Sequence, residues 1–126
     1  MRRHMVLAVS SLFLAAPVFA QQMNAESFHQ RAVKLKGKGA MAMFSMGEVK
    51  ALMKEGQAAG LAARNARLAA AKAGKPQRYC PPPGKQSMTS DEFMNGLAAI
   101  PQAERRRIDM TEATTRILER KFPCRA

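Results

Sequence analysis

Tryptophan is absent from the 126 residues, tyrosine occurs once, phenylalanine six times and cysteine twice. Few aromatic and β-branched residues argue against a sandwich or barrel, whose pleated surfaces are filled by such side chains. The length allows one domain and falls short of most complete catalytic scaffolds. Acid is scarce as well: nine Asp+Glu face 21 Lys+Arg, for a formal charge of +12. Histidine is limited to His4 and His29. No apolar run reaches the roughly 20 residues that a bilayer span requires. What remains is rich in Ala, Leu and Met, the composition of a helical core.

The amino-terminal stretch reads as an address. Arg2 and Arg3 precede an apolar run from Met5 to Ala16, Pro17 breaks the chain, and Val18-Phe19-Ala20 places small or apolar residues before Gln21. This is the pattern of a secretory signal peptide over residues 1–20, cut after Ala20. The expected product is a single domain, residues 21–126, in the periplasm. Losing Arg2 and Arg3 takes Lys+Arg from 21 to 19 against nine Asp+Glu, so the charge falls from +12 to +10.

Export decides how the cysteines are read. Cys80 and Cys124 form an even pair destined for an oxidising compartment, which points to a disulfide. Closing that loop limits the unfolded chain and stabilises the fold by about 4 kcal/mol in the chain-entropy picture. A nucleophilic or metal-binding thiol is disfavoured, because there is no Cys-x-x-Cys and His29 is the single histidine of the exported part.

Periodicity predicts helices. Gln21–Asn24 reads as a frayed start, Ala25–Leu35 as a weak helix, Leu35–Gly39 as a basic loop and Ala40–Phe44 as a short apolar patch. Ser45-Met46-Gly47-Glu48 has the form of a capping box opening a long helix, with Gly74 as its stop. Gly56 and Gly60, four apart on the apolar stripe, fit either close backbone approach of another helix or glycines merely tolerated in a long helix. Lys75–Gln86, with four prolines, is a linker that cannot be helical. Thr89-Ser90-Asp91-Glu92 and Asp109-Met110-Thr111-Glu112 are further helix starts, and Pro101 and Pro123 are stops. The expected fold class is all-α: a small helical bundle with one long and two or more shorter helices, and one disulfide.

No catalytic constellation emerges. His29 has no marked nucleophile or acid beside it, and Asp91-Glu92 is explained by the helix start. Gly37-Lys38-Gly39 lacks the spacing of a phosphate loop. Met41, Met43 and Met46 could offer thioethers to copper, but no His or Cys accompanies them, and filling of core space is the simpler role. No cofactor and no metal are expected. Export and the lack of stacking aromatics disfavour nucleic acid. The basic patches around Lys34–Lys38 and Arg105–Arg107 suit an acidic protein partner or anionic envelope polymers.

In the carboxy-terminal half one order of residues is specific. Tyr79-Cys80-Pro81-Pro82 is followed by the helix start Thr89–Glu92, Phe93, Leu97, Ile100-Pro101, an Arg-rich turn, Ala113, Ile117-Leu118 and Phe122-Pro123-Cys124. This resembles the Tai-like (Rap/Tai) family of type VI secretion amidase immunity proteins, as a divergent member lacking the additional cysteine pair common there. The resemblance covers Tyr79–Cys124. It implies a non-enzymatic periplasmic protein that binds a peptidoglycan amidase effector and covers its active-site cleft. Charge and expected exposure nominate Lys36, Lys38, Lys85, Arg105, Arg106 and Arg107 as partner contacts. The alternative reading is an exported basic helical protein with an envelope role, binding anionic polymer or an unrelated protein; a homo-oligomer is compatible with either.

Overall fold

A computed structural model describes residues 22–125; the expected signal peptide lies outside the described residues. The fold is all-α. Helix α1 spans Ala25–Gly37, a 3₁₀ segment follows at Gly39–Ser45, and α2 runs over Met46–Lys72. After the Pro-rich strap come α3 (Ser90–Ala99), the single turn α4 (Gln102–Arg105) and α5 (Met110–Lys121). Among the described residues no helix is long and apolar enough to cross a membrane.

The helix starts are local chemistry. Thr89 caps α3 with a complete capping box: its hydroxyl accepts from the Glu92 N–H at 3.1 Å, and the Glu92 carboxylate accepts from the Thr89 N–H at 2.9 Å. Asp109 caps α5 by accepting from the Glu112 N–H at 2.8 Å. The α2 stop is a Schellman turn. Gly74 has φ +69, its N–H donates to Ala71 O, and the Lys75 N–H donates to Ala70 O at 2.8 Å.

Three expectations need correction. Gln21–Asn24 is not a frayed start in its described part: Asn24 caps α1 and forms an isolated antiparallel bridge with Asp109. Leu35–Gly39 is not a loop, because α1 continues to Gly37 and Gly39, at φ +54, turns the chain directly into the 3₁₀ segment. Ser45 does not cap α2. It receives the incoming 3₁₀ turn instead of an extended strand, so its hydroxyl accepts from Lys38 Nζ at 3.0 Å and Glu48 pairs with Arg31 at 2.5 Å.

Leu97, Ile100 and Met110 are the largest fully buried side chains, and Phe28, Leu52 and Ile117 bring α1, α2 and α5 onto them. Phe28 meets Phe93 edge to face, with ring centroids 6.0 Å apart. The α3–α5 crossing is close at Gly96, where an added Cβ would lie 2.9 Å from Ile117 Cγ2. Gly56 and Gly60 have nothing within 4 Å of an added Cβ, which leaves the reading as tolerated glycines in a long helix and removes the close approach. Among the described residues no helix covers them.

Candidate interaction surface

The strap between α2 and α3 is held to α5 by successive ties. Cys80 and Cys124 are disulfide-bonded, and the Cys80 N–H donates to Phe122 O at 2.8 Å. Arg78 donates to Glu112 at 2.5 and 3.0 Å and to Glu119 at 2.6 Å. These carboxylates raise the Arg78 pKa further above its ordinary range, and Arg78 and then Arg116 hold Glu112 below the usual carboxylate value against partial burial. Tyr79 is buried, with the Arg67 guanidinium 5.2 Å from its ring centre. The residues at the two ends of the family-like pattern thus form one structural unit.

The basic residues nominated by sequence fall on different elements. Lys36 is exposed near the end of α1, 3.7 Å from Asp91, and Lys38 follows at the entry to the 3₁₀ segment. Lys85 is on the strap, and Arg106 and Arg107 are exposed after α4. Arg105 is a correction. It is only 7% exposed, and its Nε donates to Glu26 Oε2 at 2.6 Å, so it is no surface contact. Its Nη1 reaches Leu97 O, Ala98 O and Ile100 O, carbonyls at the end of α3. Burial pushes the Glu26 carboxyl up, but Arg105, Gln102 and Gln30 outweigh it and hold Glu26 below the usual carboxylate range. An Arg run in a turn carries no sign of which member folds inward, so sequence offered no way to separate Arg105 from its neighbours.

No family model, curated protein or solved structure matches this chain. The surface itself must therefore carry the functional reading. Two features stand out on it. The first is the 3₁₀ segment, on which Met41, Met43 and Phe44 are 62, 75 and 83% exposed. The short apolar patch seen in the sequence is thus not core, since the 3₁₀ turn carries these side chains away from the bundle. Large apolar groups gathered on one exposed turn mark an interaction site more often than a free surface.

The second feature is a groove along α2. Its apolar end, about 480 Å³, lies between α1, α2 and α3 and is lined by Leu52, Met53 and Met94 among others. Its wider end, about 920 Å³, lies between α2, the strap and α5. Gly56, Met88 and Phe93 line both ends, so the two are continuous. The wide end includes Arg64, Arg67 and Lys85 but no acid. Arg67 and Thr114 were not singled out by sequence. Only the folded strap makes them neighbours of a groove.

His29 is half-buried on α1, and its pKa is lowered by burial first and then by the nearby Arg105 charge. Among the described residues, no group of three or more His, Cys, Asp or Glu is placed to hold a metal ion.

Proposed function

We propose that this chain is an exported protein inhibitor that acts by docking and not by chemistry. It blocks a peptidoglycan amidase effector of type VI secretion in the periplasm. The observation that carries the reading is the projecting 3₁₀ segment, whose exposed Met41, Met43 and Phe44 are entered through Lys36 and Lys38. Met and aromatic side chains on an exposed turn form the apolar centre that protein interfaces favour, and flanking cations steer an acidic partner. The resemblance over Tyr79–Cys124 supplies the partner class.

The test is a pull-down of candidate amidases with the exported protein, followed by a lysis-protection assay. The expected result is capture and protection by the wild type, and loss of both in Met43→Ser/Phe44→Ser with an unchanged helical spectrum. Absence of any amidase binding by the wild type overturns the reading. A second reading, binding of anionic envelope polymer, is favoured by Lys50, Lys54, Arg64 and Lys72, all exposed along α2. It requires affinity for the polymer that falls steeply with salt.

A further inference from the structure

We propose that the groove beside α2 takes an acidic segment of a partner protein, one carboxylate seated at the Arg64–Arg67–Lys85 end and apolar side chains in the Leu52–Met94 end. The proposal rests on the reading of this chain as a protein-binding module, not on the partner being an amidase.

Gly56 and Gly60 form the open floor. Glycine inside a helix is unfavourable relative to alanine, yet both positions face empty space where a Cβ would meet nothing within 4 Å. Beside them lie polar groups without partners. Thr114 is only 5% exposed and its Oγ1 has no hydrogen-bond partner; the Nε of Arg67 is buried and equally unpartnered. Both residues line the wide end of the groove. Arg67 uses only Nη1, in a long 3.4 Å contact with Gln77, and its guanidinium lies over the Tyr79 ring, 5.2 Å from the centroid. The Thr114 Oγ1 and the Arg67 Nε lie within the wall of the groove, behind the exposed Arg64 and Lys85, whose guanidinium fork and ammonium are the donors that meet a carboxylate. Arg64 and Lys85 add charge with no acid in the lining to neutralise it.

The apolar end decides what brings the carboxylate. Phosphate or an anionic polysaccharide would satisfy the cations but leave the exposed Met53 and the half-buried Met94 uncovered. A polypeptide carrying Glu or Asp between large apolar residues matches both ends of the continuous groove. A net charge of +10 on the exported part would draw such a segment in.

The test uses the exported protein and two capped ten-residue peptides, one with Glu flanked by Leu and Phe, the other with Gln in its place. Binding is read from NMR shifts of the Gly56 and Gly60 amides and the Thr114 methyl. The Glu peptide is expected to move these signals and to bind about tenfold more tightly than the Gln peptide, a difference of about 1.4 kcal/mol. Gly60→Leu fills the floor and is expected to abolish binding with no drop in melting temperature. Arg64→Glu/Lys85→Glu, at exposed positions, is expected to weaken the Glu peptide selectively. Equal affinity for the two peptides, or shifts elsewhere on the molecule, overturns the proposal. So does movement of the same signals by polyphosphate but not by peptide, or by raising the protein concentration alone, which would mean a second copy. If the Glu peptide binds the groove while no amidase is captured, the groove stands and the inhibitor reading falls. If an amidase is inhibited equally by Gly60→Leu and neither peptide binds, the groove falls alone.

Discussion

Arg105 and Glu26, 79 positions apart, form a buried ion pair with Nε 2.6 Å from Oε2. Through it the start of α1 is joined to the turn that ends α3, because Arg105 also holds three carbonyls at that end. Removing one member of a buried pair leaves the other charge uncompensated, at a cost of about 3–5 kcal/mol. Arg105→Met is therefore expected to lower unfolding free energy in urea by about 3 kcal/mol. Arg106→Met and Arg107→Met, on exposed side chains, are expected to stay within about 0.5 kcal/mol of wild type. Equal effects at all three positions would contradict the pairing.

The same pair sets an acid limit. Glu26, Glu48, Glu92 and Glu112 all have folded-state pKa values below their ordinary ones. Their stabilisation is fully present above about pH 4.3, the unfolded carboxylate value, and is lost as pH falls through the lower folded values. His29, also lowered, adds a loss that begins near pH 6.5 as pH drops. Melting temperature is expected to decline gently from pH 7 to pH 5 and steeply below pH 4. In His29→Gln the gentle part should flatten; in Glu26→Gln the acid slope should shrink.

The helices, their prolines and glycine stop, and the two caps at Thr89 and Asp109 were legible because each rests on neighbours in sequence. The disulfide was legible because two cysteines allow a single internal pairing. Contacts set by tertiary placement were not. Ser45 fits a capping pattern, but the 3₁₀ turn before it removes the extended backbone that a cap needs. Arg105 looks like its neighbours until α1 supplies Glu26. Gly56 and Gly60 carry the spacing of a helix crossing, while the crossing itself is at Gly96, an unremarked position in a ten-residue helix.

That exchange of glycines has a measurable form. Gly96→Ala would push a Cβ against the β-branched Ile117, and overpacking of this kind typically costs about 1–3 kcal/mol. Gly56→Ala and Gly60→Ala meet no neighbour and should each gain up to about 1 kcal/mol of helix propensity. Thermal unfolding of the three variants is expected to give one decrease and two increases. A rise for Gly96→Ala would refute the close α3–α5 approach.

Cutting the staple should be costly. Cys80→Ser/Cys124→Ser, or full reduction, frees a loop of sequence separation 44 and is expected to lower stability by about 4 kcal/mol. Chemical denaturation with and without reductant measures it. An unchanged midpoint would show that Arg78 and the Cys80–Phe122 hydrogen bond hold the strap unaided.

The staple also alters how the chain would respond to force. A molecule pulled from its two ends transmits tension across the Cys80–Cys124 bond, so α3, α4 and α5 sit inside a covalent ring that carries no load. Only chain outside the ring can lengthen. At about 3.5 Å per extended residue, the ring withholds about 150 Å of contour until a reductant opens it. Tension would therefore strip α1 and α2 from the bundle, and a single stretching trace would show that hidden length appear in one step on reduction.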